Sequence, residues 1–232
     1  MELALAFALF IASHSVPARP AVKRKLVDWL GERGYLLVYS VISICVLAVL
    51  IIAAGRAPHL ELWTHELSQR WIPVIAMPIV CILIAFSVGA PNPLSFGGRF
   101  PELFDPGQPG IAGVTRHPLL WALALWAMSH VVPNGDLAHV LLFGGFAAFA
   151  LIGMNLIDHR LKRRLGQTEW HRLAERTSII PFMAWFDGRW RPGLAMPSRE
   201  SYLRLGSGLV LYAGLFALHD PVIGVSVMGP FV

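Results

Sequence analysis

Apolar residues in this chain fall into six long runs, each ended by charged or turn-forming residues. The runs cover 2–18, 34–54, 71–90, 119–133, 138–157 and 205–219. A helix needs about 20 apolar residues to cross a hydrocarbon core, so the pattern predicts an all-α, polytopic transmembrane helix bundle of five to six spans. The first, fourth and sixth runs are short for a full crossing and call for a thinned bilayer or continuation into the flanking turns.

Composition agrees with this reading and excludes an ordinary soluble domain. The 232 residues are 56% hydrophobic and 14% charged, with a mean hydropathy of +0.60. No lysine or arginine precedes the run 2–18, and the basic cluster follows it. That order predicts an uncleaved first span with its N-terminus outside rather than a signal peptide.

Charge sets the expected orientation. Segment 19–33 carries Arg19, Lys23, Arg24, Lys25 and Arg33, and segment 158–201 carries nine further lysines and arginines, whereas 55–70 has only Arg56 and Arg70. The positive-inside rule places both rich segments in the cytoplasm, with both termini outside if all six spans cross. The net charge of +5 then reflects attraction to anionic membrane lipids, and no aromatic-basic interleaving suggests nucleic acid.

Chemistry-bearing residues are few. Cys45 and Cys81 sit mid-span in no metal-binding spacing and read as packing groups. The proline- and glycine-rich stretch 91–113, "PNPLSFGGRFPELFDPGQPGIAG", is long for a connection and reads as a lid. It leads into "TRHP", where Pro118 suits the first helical position and His117 its cap. Arg116 and His117 thus stand at a membrane edge, where ionisable residues are costly and usually functional. Arg116 suits either a lipid contact or a haem propionate.

His14, in "SHS", lies about 6 Å below the end of the first span and so shares the depth of His117. Two readings are open: a shared haem or metal site, or interfacial histidines bonded to backbone or head groups. His130 falls about 20 Å further along the fourth span. With His139 and His219, near Asp136 and Asp220, it defines a rival copper or zinc site on the outer face, although their spacing matches no ligand motif.

Five stretches in order, "SHS" at 13–15, "LGERGY" at 30–35, "VTRHP" at 114–118, "SHVVPNGD" at 129–136 and "ERTSIIPF" at 175–182, resemble the NnrU family, and with it the plastid 15-cis-zeta-carotene isomerases. The resemblance implies a membrane protein of the bacterial inner membrane. It implies haem b ligated by His14 and His117, and a link to nitric oxide metabolism and denitrification. It also implies haem-dependent cis-trans isomerisation of a polyene. It covers roughly 10–185, which suggests an NnrU-like domain over 1–185 and a C-terminal connector with an additional span over 186–232.

A second resemblance, carried by "TRHP" and "DHRLKRRLGQTEWHRLAERTSIIPF", is to isoprenylcysteine methyltransferases. It implies S-adenosylmethionine held by His117, Asp158 and Arg160. A third reading is non-enzymatic: small-residue faces such as "GGFAAFALIG" at 144–153 allow close contact with a membrane protein partner, for instance a nitrogen-oxide reductase.

Overall fold

The computed structural model describes residues 1–17, 19–192 and 198–229. Among them the regular structure is helical: α1 (Glu2–Ser15), α2 (Pro20–Gly55), α3 (Trp71–Ser87), α4 (Ile111–Val114), α5 (Pro118–Val131), α6 (Leu137–Leu165), α7 (Gln167–Ala174), α8 (Met183–Phe186) and α9 (Arg199–Ile223). Four helical stretches are long and apolar enough to cross a membrane: Pro20–Gly55, Leu67–Ser87, Leu137–Leu165 and Arg199–Ile223. Glu2–Ser15 and Pro118–Val131 are shorter apolar helices. The protein is an all-α membrane protein.

Each expected run falls mainly in a helix, but the bounds differ: α1, α3 and α5 stop at 15, 87 and 131, short of the run ends, whereas α2, α6 and α9 continue into polar residues. The basic segment after the first run is helical from Pro20, whose fixed φ suits the first helical position. It is set off from the apolar span only by Gly31, at φ 72° and ψ 164°. The sixth run, short by composition, extends to 25 residues because Ser198 caps its start, accepting from the Ser201 amide, and Gly224 ends it in the left-handed region. Ala18, the expected end of the first run, lies outside the described residues.

The chain divides into two compact units, 1–64 with 134–142, and 65–133 with 143–232. In the first unit α1 packs along α2, burying Ala6 and Phe10 on one helix and Val46, Leu50 and Ala54 on the other. Residues 60–62 pair with 135–137: the Leu62 amide donates to Gly135 O (2.7 Å) and the Leu137 amide to Leu60 O (2.9 Å). Gly135 is required there, since a Cβ would sit 2.2 Å from Trp63 O.

In the second unit α3 packs against both α5 and α9. Gly208 brings the α9 backbone onto α3, where its Cβ would lie 3.1 Å from Ile82 Cα. Arg204 donates to the carbonyls of Ala85 and Val88 (2.9 and 3.1 Å), satisfying the C-terminal end of α3. At the head of α5 a second core forms from the last turns of α6, from α7 and from the irregular stretch after α3: Leu94, Leu161, Trp170, Leu173 and Ala174 are buried together. The stretch expected as a lid is therefore pinned by Leu94, which is fully enclosed.

Candidate functional site: a buried ionic cluster at the head of α5

Helix α5 begins as the sequence predicted, with Pro118 at its first position and His117 as N-cap residue. The imidazole makes no cap hydrogen bond and is 0% exposed. Its Nε2 lies 2.9 Å from Asp158 Oδ1 on α6, and its Nδ1 lies 2.9 Å from Ser95 Oγ. The other carboxylate oxygen of Asp158 accepts from Arg116 Nη1. Two sequence neighbours, Arg116 and His117, thus grip one carboxylate from both sides.

The surroundings hold this grip in place. Arg116 Nε donates to Thr177 Oγ1 (2.9 Å), and Thr177 in turn donates to Ala174 O (2.9 Å). The guanidinium also lies over the Trp170 ring, 4.9 Å from its centroid, a face shared with Lys162 at 5.2 Å. Burial lowers the pKa of Arg116, and the pairing with Asp158 works against that shift. Asn92 joins the irregular stretch to the site, donating to Arg116 O (3.0 Å) while its Oδ1 accepts from the Leu94 amide (3.0 Å).

A second set of contacts lays residues 178–182 over the start of α5. The Arg116 amide donates to Ser178 O (2.7 Å), Thr115 Oγ1 and Trp121 Nε1 both donate to Ile179 O (2.8 and 2.7 Å), and the Phe182 amide donates to Val114 O (2.7 Å). Two of the motifs singled out in the sequence, "VTRHP" and "ERTSIIPF", therefore build one structure. Trp190 closes it by stacking on Gly113, where a Cβ would lie 2.5 Å from the indole.

The other sequence-predicted residues make local contacts of their own. His14, on the last turn of α1 in the first unit, has Nδ1 2.9 Å from Phe10 O and rings of Phe10 and Tyr39 beside it. Arg160, two residues beyond Asp158, is exposed. His130 has Nδ1 2.7 Å from Trp126 O and packs against Phe143, His139 has Nδ1 2.6 Å from Asp136 Oδ2, and His219 has Nδ1 2.7 Å from Val225 O. Among the described residues, no group of three or more His, Cys, Asp or Glu is placed to hold a metal ion.

Sequence reading did not single out Asn92, Ser95 or Thr177, although the first two lie in the stretch 91–113 and Thr177 lies in "ERTSIIPF", and it tied Asp158 only to the methyltransferase resemblance. One signal was present: Asp158, Leu161 and Leu165 recur at three- and four-residue spacing, the face that α6 turns inward.

The donor set can be tested against haem b. A hydroxyl both donates and accepts, so Ser95 can support Nδ1 in either tautomer, as a metal-bound histidine requires of its second nitrogen. Nε2, the nitrogen a haem iron would take, is bonded to Asp158 Oδ1, whose other oxygen Arg116 holds. His117 is thus a donor of the right type for haem iron, but as it stands both of its ring nitrogens are engaged and the ring is wholly enclosed.

Comparison with known proteins agrees with the motifs. The family model described as "NnrU protein" matches residues 2–227, well past the limit of 185 that the motifs suggested. The "15-cis-zeta-carotene isomerase, chloroplastic" of Arabidopsis thaliana and that of Zea mays are each 34% identical over 82 residues, which is 35% of this chain. The match spans only 22% of the length of each relative. No solved structure matches. The chain belongs to the NnrU family.

Proposed function

We propose that this protein is a membrane isomerase that turns a cis double bond of a long apolar polyene, with haem b as a cofactor that His117 and His14 would hold. The observation that carries the reading is His117, a wholly enclosed imidazole at the head of an apolar helix, bonded only to the side chains of Ser95 and Asp158. Relatives named as carotene isomerases favour a polyene over nitric oxide as the species acted upon. A nitric oxide and denitrification role rests on the family name alone. We further place the protein in a bacterial inner membrane, with the basic segment 158–201 in the cytoplasm.

When bound, haem b supplies an iron with an exchangeable coordination position at which a polyene double bond is activated for rotation. Isomerisation needs no net electron or atom transfer, so this chain has to hold the cofactor and position an apolar substrate. Ser95 orients the His117 ring, Arg116 offers a cation at the edge of the cluster, and the packed Leu94 and Trp170 keep water away from the charges. The methyltransferase reading is less well supported, because Arg160 does not join His117 and Asp158.

Absorption spectra of detergent-purified protein from a haem-replete host, oxidised and reduced, test the cofactor. A low-spin bis-histidine spectrum that is lost or converted in both His14→Ala and His117→Ala is the expected result. Absence of a Soret band in the wild type would end the haem reading. Chromatographic conversion of a cis-polyene by the haem-loaded protein, abolished in His117→Ala, tests the reaction itself.

A further inference from the structure

We infer that residues 180–186, which the basic charge of the surrounding segment assigns to the cytoplasm, form an aromatic foot set into the head-group layer of the membrane at the head of α5. The partner of this face is lipid. Ile180, Phe182, Trp185 and Phe186 are each between 46% and 76% exposed, and the rings of Trp185 and Phe186 stack at 5.7 Å. Large apolar side chains gathered in one exposed patch mark an interaction surface. The neighbouring α7 shows that such exposure is particular to the foot, because α7 spends its apolar face inside the protein, burying Trp170, Leu173 and Ala174. Helix α8 buries Ala184 and leaves Trp185 and Phe186 outside.

The backbone of the foot is closed as a segment facing lipid requires. Pro181 has no amide hydrogen, and the amides of Phe182, Met183, Trp185, Phe186, Asp187 and Gly188 all donate to backbone carbonyls at 2.7–3.2 Å. A loop in water can leave its donors to solvent, whereas a segment in lipid has to satisfy them itself. Phe182 adds a second sign. It stands at φ 63° and ψ −5°, a left-handed conformation that is costly for a bulky side chain and that glycine or asparagine would take with less strain. Its ring contacts Trp185, itself half exposed, at a centroid distance of 6.4 Å. In water that ring would do little to offset the strain, while at a membrane interface aromatic rings are favoured.

Hydrogen bonds to the membrane helix and its approach fix the depth. Trp121, in the first turn of α5, donates to Ile179 O, and the Phe182 amide donates to Val114 O. The foot therefore lies within about one helical turn of the end of an apolar helix. Asp187 and Arg189, paired at 3.0 Å, follow at once, and charges of this kind keep to the interface rather than the hydrocarbon core.

Nitroxide labels on single cysteines in the full chain, with Cys45→Ala and Cys81→Ala removing the native thiols, test the depth in vesicles of phosphatidylcholine and phosphatidylglycerol. Labels are placed at Phe186→Cys, at Ile79→Cys on the exposed side of α3 and at His171→Cys on the exposed side of α7. Collision is measured with oxygen, which concentrates in lipid, and with a nickel chelate confined to water. We expect the nickel rate at 186 to fall several-fold below that at 171, with an oxygen rate approaching that at 79. A nickel rate at 186 equal to that at 171 would place the foot in water and overturn the inference. Low rates with both reagents would mean that protein covers the patch, and would overturn it in favour of a protein interface. Should the labelled 186 variant fail to fold, tryptophan quenching by lipids brominated near the head-group end of the chain decides the matter. The wild type should be quenched more than Trp185→Phe, and equal quenching would refute the foot.

Discussion

His117 and Asp158 are 41 positions apart and meet at 2.9 Å, while Arg116, the neighbour of His117, holds the opposite oxygen of the same carboxylate. A loop residue pair and a helix face are locked by one side chain. Asp158 is 5% exposed and Arg116 is also largely buried, so either charge left alone would be costly.

Asp158→Ala leaves the Arg116 cation buried without its anion and should cost about 3–5 kcal/mol. Arg116→Met with Asp158→Leu should recover most of that loss. Unfolding of the single and double variants in detergent checks the coupling, and additive effects would mean that the pair is not a unit.

Thr177 is fully enclosed, accepting from Arg116 and donating to Ala174 O. Thr177→Val keeps the shape and strands both partners, for an expected loss of about 1–3 kcal/mol. Thr177→Ser keeps the hydroxyl and should fold nearly as the wild type does. The same unfolding measurement separates the two.

Gly113 and Gly144 make a paired test of close packing. A Cβ on Gly113 would lie 2.5 Å from the Trp190 ring, so Gly113→Ala should cost about 1–3 kcal/mol through overpacking. A Cβ on Gly144, inside α6, would meet no atom within 4 Å, and Gly144→Ala should gain about 0.5–1 kcal/mol from helix propensity. Losses of equal size at both would contradict the placement of Trp190.

Gly208 sets the approach of α9 to α3, and Cys81 beneath it is fully buried. Gly208→Leu should push the helices apart and expose the thiol. In a Cys45→Ser background, N-ethylmaleimide should modify Cys81 at least several-fold faster in Gly208→Leu than in the parent. An unchanged rate would show that α9 packs elsewhere.

Apolar continuity is a property of the chain itself, so the helices that carry the six runs were legible before any packing was known. So was the start of α5, because Pro118 cannot continue a helix backwards and lacks only a hydrogen bond that position never makes. Helix ends were less legible: polar residues at 20–33 and 199–204 remain helical because caps and tertiary contacts, not hydropathy, stop a helix.

The site was half readable. "TRHP" announced Arg116 and His117, and depth along the spans suggested His14 as a companion. What those side chains touch depended on helix rotation: successive residues turn about 100°, so Asp158 faces inward while Arg160 faces out. Ser95 comes from the irregular stretch 22 residues before His117 and Thr177 from "ERTSIIPF" 60 residues after it, and neither pattern names its partner. The sequence alone determined which residues would be costly at a membrane edge, since burial of charge is unfavourable wherever it occurs. Only the tertiary structure decided which partner offsets that cost, because hydrogen bonds are short and directional and their partners are chosen by the packing of whole helices.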